Sequence, residues 1–222
     1  MAVTKPEVFD QIARVGKALA NGKRLELLDL LAQAERTVDA LAKAAGLGVT
    51  TASAHLQALK QGGLVATRKD GTRVHYRLAG PAVARLYATV RDVATDHLAD
   101  VAAAVTAYLG PGVEQVTRAQ LLERADRGEI TVLDVRPAEE YAAGHIPGAV
   151  NIPVDQLLQR LDELPEGTEV VAYCRGAHCV FAADAVRLLA DRGRPARALA
   201  DGMLEWRLAE LPVAVRSGFE KP

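Results

Sequence analysis

The sequence has 222 residues, of which half are hydrophobic and a quarter are charged, and its net charge is −1. A chain of this length allows one large domain or two small ones. Because it contains no run of about 18 apolar residues, we expect no transmembrane helix and no membrane partner. The N-terminal residues lack the charged segment, apolar stretch and cleavage site of a signal peptide, so we expect a cytoplasmic protein.

Charge is unevenly distributed along the chain. Residues 1–109 carry a net charge of +4, whereas residues 110–222 carry −5. A basic half beside an acidic half favours two domains, with a polyanion as the partner of the first. The segment Gly110-Pro111-Gly112 separates the two halves. We therefore predict one domain at residues 1–109 and a second at residues 113–217.

Three short helices are predicted in the first half. The spacing of apolar residues predicts helices at residues 21–31, 37–45 and 50–61. A glycine-containing turn, Gly46-Leu47-Gly48, joins the last two. Two short helices joined in this way are typical of a helix-turn-helix.

A β-hairpin is predicted directly after these helices. Residues 64–78 have the pattern of two strands, and Asp70-Gly71 is a strong signal for the turn between them. A basic hairpin that follows a recognition helix is typical of a wing, which lies along the DNA backbone or the minor groove. The fold class predicted for this half is therefore a mainly α winged helix-turn-helix with a small β-hairpin wing.

Polar side chains of the third helix and basic side chains of the hairpin are the candidate DNA contacts. Taken alone, the polar helix face would suit an ordinary solvated surface, and the adjacent basic hairpin favours DNA binding instead. The predicted DNA-binding residues are Thr50, Thr51, Ser53, His55, Gln57, Lys60, Arg68, Lys69 and Arg73.

A long amphipathic helix is predicted from Pro81 to about Leu109. Its apolar residues recur at spacings of three and four, which places them on one face. Such a helix at a domain edge is typical of dimerisation, and packing on its own domain is the alternative. We favour dimerisation.

The segments ANGKRLELLDLL and LAKAAGLGVTTASAHLQALKQGGLVATRKDGTRVHYRL resemble those of ArsR/SmtB-type winged-helix repressors, over roughly residues 8–105. The resemblance implies a homodimer that binds double-stranded DNA at a short, imperfect palindrome. Many such repressors sense metals through cysteines or through histidine and acidic ligands. This half has no cysteine and its histidines are scattered, so we expect no metal site and no cofactor.

Predicted strands and helices alternate in the second half, which indicates an α/β domain with a central parallel sheet. The predicted strands are residues 131–135, 169–173 and 196–199, and the predicted helices are residues 117–127, 154–161, 179–192 and 202–209.

The two cysteines of the chain, Cys174 and Cys179, lie between a predicted strand and a predicted helix. A loop at a helix N-terminus directs backbone N–H groups to one point and favours an anion there. We therefore predict a lowered pKa for the Cys174 thiol, which would attack electrophilic sulfur and form a persulfide. An inert, buried cysteine is the alternative. The predicted reactive loop comprises Cys174, Arg175, Gly176, Ala177, His178 and Cys179.

The segments DVRPAEEYAAGHIPGAVNIP, YCRGAHC and LADGMLEWRLAELPV resemble those of rhodanese-type sulfurtransferases, over about residues 113–216. The resemblance implies that Cys174 accepts sulfur and that Asp134, Arg136 and His145 support the active loop. Trp206 is expected in the core or at an interface.

The loop departs from the common rhodanese pattern at Cys179. Many active rhodaneses carry a second basic residue at this position, so its absence disfavours thiosulfate as a donor. Cys179 would instead attack a persulfide or a sulfenic acid on Cys174 and form a disulfide, or a trisulfide if the sulfur is retained. The alternative is that Cys179 is a small apolar residue that opens the next helix.

Three functions are compatible with these patterns. The favoured one is a repressor whose DNA affinity changes when Cys174 is oxidised or accepts sulfur from a persulfide, a polysulfide or thiosulfate, with weak sulfurtransferase activity as the sensing chemistry. The second is a rhodanese-type sulfurtransferase with an accessory DNA-binding domain. The third is a regulator that responds to arsenic-type oxyanions or thiophilic metals through both cysteines, although no third soft ligand is evident.

Overall fold

The computed structural model describes residues 3–215. These residues form two compact units, divided between Arg91 and Asp92. The domain limits 1–109 and 113–217 stay predictions, and their outermost residues 1, 2, 216 and 217 lie outside the described part of the chain.

Four helices begin the first unit: α1 (Lys5–Leu19), α2 (Gly22–Gln33), α3 (Val38–Ala44) and α4 (Val49–Gln61). The sequence predicted α2, α3 and α4 to within two residues at either end, and it missed α1. The starts of α2 and α3 are capped, because the side chains of Asn21 and Thr37 accept hydrogen bonds from the backbone N–H groups of Arg24 and Ala40.

Leucines from three of these helices form the core of the first unit. Leu27 and Leu28 of α2 are buried with Leu41 of α3 and with Leu56 and Leu59 of α4. This packing determines which face of α4 points inward. The opposite face is left at the surface.

The strands β1 (Arg36–Thr37), β2 (Val65–Asp70) and β3 (Arg73–Leu78) form an antiparallel sheet in the order β1-β3-β2. Asp70 pairs with Arg73, so Gly71 and Thr72 form the two-residue loop. The prediction that Asp70-Gly71 forms the turn was therefore wrong by one residue. Gly71 has a φ of +57°, as the first loop position of a type II′ turn requires.

The long helix predicted from Pro81 to Leu109 is divided into α5 (Pro81–His97) and α6 (Ala99–Leu109). Leu98 interrupts it with an extended backbone, at a φ of −117° and a ψ of 104°. The prediction of one continuous helix was wrong because the apolar spacing continues across this single non-helical residue. The boundary between the two units falls within α5.

Five parallel strands form the sheet of the second unit: β4 (Gln115–Val116), β5 (Ile130–Asp134), β6 (Val150–Asn151), β7 (Glu169–Tyr173) and β8 (Ala196–Leu199). Their order is β4-β8-β7-β5-β6, with β7 at the centre. The central parallel sheet is thus confirmed. The sequence missed only the two-residue edge strands, β4 and β6.

Helices α7 (Arg118–Asp126), α8 (Ala138–Ala143), α9 (Phe181–Ala190) and α10 (Met203–Leu208) accompany this sheet, together with 3-10 helices at Val154–Gln159 and Leu161–Glu163. The helix predicted at residues 154–161 is therefore of the 3-10 type and broken. Trp206 lies in the core, and its indole N–H donates to the Pro212 carbonyl at 2.8 Å. In residues 3–215 every helix is too short or too polar to cross a membrane.

Candidate functional site

The predicted reactive loop lies at the carboxyl end of the central strand, β7. In open α/β sheets this is the edge at which ligands bind. Two backbone hydrogen bonds connect the loop to the first turn of α10. The N–H of Met203 donates to the Cys174 carbonyl at 2.9 Å, and the N–H of Leu204 donates to the Arg175 carbonyl at 2.9 Å.

A close backbone contact at Gly202 restricts the shape of this loop. A Cβ atom on Gly202 would lie 2.3 Å from the backbone nitrogen of Gly176. Only glycine allows two backbone segments to approach this closely. The start of α10 therefore restricts the loop through backbone contacts.

The Cys174 thiol is buried, with 2% of the residue exposed. Its Sγ lies 3.3 Å from the Cys179 carbonyl oxygen, to which it donates a hydrogen bond. Burial raises the pKa of Cys174 well above its ordinary value, and the hydrogen bond to the Cys179 thiol raises it further. Backbone hydrogen bonds from Gly176 and Ala182 act in the opposite direction and are outweighed. The prediction of a lowered pKa for Cys174 was therefore wrong.

Cys179 has the lowered pKa instead. The main cause is the interaction with the Cys174 side chain, and burial opposes it. Backbone hydrogen bonds and the charge of Arg175 lower the pKa further. The structure thus places the Cys174 thiol against the backbone of Cys179, with both cysteines in one loop, and Cys179 is the one that ionises at the lower pH.

Arg175 makes its ion pair with a carboxylate that the sequence analysis missed. Its guanidinium donates to Glu140 of α8, with the closest contact at 2.7 Å, and Glu140 is fully buried. The guanidinium also lies over the ring of Phe181, 5.2 Å from its centroid. No sequence pattern distinguished Glu140 from the neighbouring Glu139.

Asp134 and Arg136 form a fully buried ion pair at 2.6 Å, at the carboxyl end of β5. The hydroxyl of Tyr173, the residue before Cys174, donates to the Asp134 carboxylate at 2.6 Å. Arg136 also donates to the Gly144 carbonyl at 2.9 Å. This network connects β5, β7 and the end of α8 directly beside the reactive loop.

His145 is buried behind the same network. Its Nδ1 lies 2.9 Å from the Tyr141 carbonyl oxygen, and its ring stacks on the Tyr141 ring with centroids 3.7 Å apart. Its backbone pairs with that of Ala214. These contacts are those of a packing residue rather than of a group that reacts.

A cavity of about 260 Å³ opens beside both cysteines. Cys174, Gly176, Ala177 and Cys179 form its wall on the side of the loop, while Arg175 and His178 do not line it. The remaining walls come from the end of α6 with residues 110–113, from the first turn of α9, and from residues 198–201.

One arginine connects α9 to the segment that follows α6. The guanidinium of Arg187 donates to the carbonyl oxygens of Leu109 at 2.9 Å and Pro111 at 2.5 Å. It also pairs with Asp184 at 2.9 Å. Because the loop leads directly into α9, this contact joins the loop to the cavity wall opposite it.

In the first unit, α4 presents the polar face that the sequence predicted. Ser53 and His55 are half-buried, and Thr50, Thr51, Gln57 and Lys60 are exposed. Two of these side chains have intramolecular partners: the amide of Gln57 contacts the Tyr76 hydroxyl at 3.3 Å, and Lys60 donates to Thr67 at 3.1 Å.

The basic residues of the hairpin fall into two groups. Arg68 is paired with Glu35 at 2.6 Å, and the hydrogen bond to Glu35 raises its pKa. Lys69 and Arg73 are exposed, and no residue within the described part of the chain forms an ion pair with either. Lys69 and Arg73, which flank the hairpin turn, are therefore cations without an ion pair among the described residues, and Arg77 further along β3 is a third.

The described residues contain no group of three or more His, Cys, Asp and Glu side chains arranged to hold a metal ion. The fold and these sites define a winged helix-turn-helix unit followed by a rhodanese-like α/β unit. Models of the arsR family of bacterial regulatory proteins and of the rhodanese-like domain match residues 21–67 and 117–209, respectively.

The HTH-type transcriptional regulator Rv0324 of Mycobacterium tuberculosis is 61% identical over 209 residues, which cover 94% of this chain and 92% of that protein. The chain therefore belongs to the ArsR family of transcriptional regulators and carries a C-terminal rhodanese-like domain. Both resemblances identified from the sequence are confirmed.

Two further proteins are each similar to one half of the chain. A sulfurtransferase of Allochromatium vinosum is 30% identical over 107 residues, covering 48% of this chain and 99% of that protein. A homodimeric winged helix-turn-helix fragment (1–100) from Mycobacterium bovis, solved by NMR, is 60% identical. It covers 45% of this chain and 95% of the fragment, with a TM-score of 0.41.

The exposed, unpaired guanidinium of Arg73 leads to a prediction about DNA affinity. Replacing Arg73 with alanine should weaken binding to all duplexes alike and lower the slope of log affinity against log salt by about one. Titrations of the protein's own upstream region and of an unrelated duplex at several salt concentrations measure both effects. Arg192→Ala removes one positive charge from the second unit and should change neither the affinity nor its salt dependence. An unaltered affinity for Arg73→Ala would exclude Arg73 from the DNA interface.

The unequal pKa values of the two thiols lead to a second prediction. A thiol with a lowered pKa stays ionised as the pH falls, so in the reduced protein iodoacetamide should alkylate Cys179 before Cys174 at pH 7. Cys174→Ala removes the side chain that lowers the Cys179 pKa most strongly. The alkylation profile of Cys179 in this variant should therefore shift to higher pH. Peptide mapping after timed alkylation between pH 5 and 9 measures this, and faster labelling of Cys174 would contradict it.

Proposed function

We propose that this ArsR-family regulator binds operator DNA in the cytoplasm as a homodimer and senses reactive sulfur through Cys174 and Cys179. The observation that carries the proposal is that both cysteines lie in the wall of one small cavity, with the Cys174 Sγ 3.3 Å from the Cys179 carbonyl oxygen. A buried thiol beside a second thiol of lowered pKa is suited to accept sulfur and then to form a disulfide.

The thiol pair provides the proton transfer that the first step needs. With a protonated hydropersulfide, R–S–SH, the Cys174 thiol passes its proton to the Cys179 thiolate and attacks the outer sulfur. The S–S bond of the donor breaks, R–S⁻ leaves, and Cys174 becomes a persulfide, Cys174–S–SH. Cys179, whose pKa is lowered, is the proton acceptor that offsets the raised pKa of Cys174, and it lies in the same loop.

The second step closes the loop. Cys179, after losing its proton to solvent, attacks the Sγ of the Cys174 persulfide and expels HS⁻, which leaves a Cys174–Cys179 disulfide. The donor's sulfane sulfur takes up the two electrons, so no further oxidant is needed. A disulfide requires the two sulfurs to lie about 2 Å apart, whereas the Cys174 Sγ now contacts the Cys179 carbonyl oxygen, so the loop has to change shape.

A change in this loop has a direct route to α6. The loop leads into α9, and Arg187 of α9 holds the carbonyl groups of Leu109 and Pro111. We propose that disulfide formation shifts α9, loosens these two hydrogen bonds and alters the end of α6. The preceding helix, α5, begins in the first unit, so the chain itself continues from the sensing loop to the DNA-binding unit.

Exposed apolar residues support the homodimer. Val8, Phe9 and Ile12 lie on α1, and each is about half exposed. Apolar side chains grouped on one helix are unfavourable in water and are typical of a surface that another chain covers. A homodimer would also match the palindromic operator that the resemblance implies.

Sulfur transfer to an acceptor is compatible with the same chemistry. The likeness to a sulfurtransferase of Allochromatium vinosum favours it as a secondary activity. A thiol that attacks the outer sulfur of Cys174–S–SH would regenerate the Cys174 thiol before the disulfide forms. Because Cys179 competes for this intermediate, we propose that turnover is low and that sensing is the main function.

The first experiment compares DNA binding before and after exposure to reactive sulfur. The reduced full chain should bind its own upstream region, and treatment with an organic polysulfide should change the affinity by about 5–150-fold, the range typical of allosteric coupling. Intact mass should show the loss of two hydrogens in the same samples. Cys174→Ser should bind DNA without responding, and a Cys174→Ser variant that keeps the full response would refute the proposal.

The contact between Arg187 and the segment after α6 provides a test of the route. Arg187→Gln should still form the disulfide at a rate within about twofold of the native chain, and its polysulfide-dependent change in DNA affinity should fall by about tenfold or more. Arg192→Gln, an exposed arginine just after the same helix, is the matched control and should keep the full response. A full response in Arg187→Gln would exclude this route.

A further inference from the structure

We infer that the cavity beside Cys174 and Cys179 takes a small, uncharged sulfane-sulfur compound, such as an organic trisulfide or a protonated hydropersulfide, in preference to an anionic donor such as thiosulfate. The inference rests on the proposed function, and it names the substrate class of the same site. It is carried by the charges and the size of the cavity.

The basic side chains of the loop do not line the cavity. Arg175 is held by the buried carboxylate of Glu140 and lies over Phe181. Neither Arg175 nor His178 lines the cavity, and among the described residues that do line it there is no lysine, arginine or histidine. An anionic donor would therefore enter without a positive side chain to pair with.

The ionisable groups in the lining are acidic. Asp201 is paired with Arg118 at 2.7 Å, so its corner of the cavity is close to neutral. Cys179, whose pKa is lowered, adds negative charge beside the sulfur that attacks. The two negative charges of thiosulfate would lose their hydration in this cavity without a cation in its lining to compensate.

Backbone N–H groups of the loop act on the sulfurs of the protein itself. Those of Ala182 and Gly176 lower the pKa of Cys174, and those of Arg175 and Phe181 lower the pKa of Cys179. They stabilise charge on these sulfurs instead of charge on the donor.

The remaining lining is apolar and the cavity is small. Its apolar side chains come from Leu109, Val113, Ala182, Ala183, Ala198 and Leu199. The volume of about 260 Å³ lies below the range of roughly 300–1,000 Å³ that holds drug-sized ligands. A neutral compound of a few sulfur and carbon atoms fits such a space and gains from leaving water.

The chemistry balances for an organic trisulfide, R–S–S–S–R. Cys174 passes its proton to Cys179 and attacks an outer sulfur, forming Cys174–S–S–R and expelling R–S–S⁻. Cys179 then loses that proton, attacks the Sγ of Cys174 and expels R–S⁻, which gives the disulfide. The trisulfide is the oxidant, and its two products are a hydropersulfide and a thiol.

The test uses the reduced full chain with dimethyl trisulfide or sodium thiosulfate at equal concentrations, and intact mass follows the cysteines over time. We expect dimethyl trisulfide to modify the protein at least about tenfold faster, the factor that corresponds to one screened charge interaction. Comparable rates, or a faster reaction with thiosulfate, would overturn the inference about the donor. The proposed function would still hold in that case if either donor changed the DNA affinity. If neither donor modifies cysteines that iodoacetamide still labels, both fail.

A pair of variants at Ala177 tests the electrostatic cause. Ala177 is an exposed loop residue in the cavity wall, so an arginine there would place a cation at the opening without burying it. The ratio of the thiosulfate rate to the trisulfide rate should rise about tenfold in Ala177→Arg. It should stay unchanged in Ala177→Gln, which has a similar polar extension without the charge, and an equal rise in both variants would overturn the inference.

Discussion

The buried ion pair between Asp134 and Arg136 is the interaction on which the second unit depends. It joins the end of β5 to the Gly144 carbonyl beyond α8 and, through the Tyr173 hydroxyl, to the end of β7. Removing one member of a buried pair costs about 3–5 kcal/mol, because the other charge is left without compensation. Since Cys174 directly follows Tyr173, this pair determines where the reactive sulfur lies.

A second buried carboxylate determines the charge of the loop. Glu140 is fully buried and holds Arg175, so the loop cation stabilises the fold and is kept out of the cavity. The two cysteines then line the cavity without a basic side chain beside them. Burial raises the pKa of Cys174, and the hydrogen bond from Cys174 lowers that of Cys179. This arrangement supports the proposed sensor, which would react once with a neutral donor.

Sensing needs a mechanical connection as well as a reactive group. The loop, α9 and the segment after α6 share one cavity, and Arg187 joins the last two through backbone carbonyls. Such a chain of contacts can couple a change in loop shape to α6 if each contacting element can adopt two discrete conformations. The close approach of Gly202 to Gly176 restricts the loop on the side of α10.

The sequence by itself determined the winged helix-turn-helix, the central parallel sheet and the presence of both cysteines in one loop, because apolar period, turn residues and ordered motifs are local signals. Apolar spacing did not reveal the break at Leu98, since one extended residue leaves the period intact. Only the tertiary structure decided which thiol ionises first. The pKa of a thiol depends on its burial and its neighbours, and Glu140, which holds the loop cation away from the cavity, is 35 residues distant in the chain from Arg175.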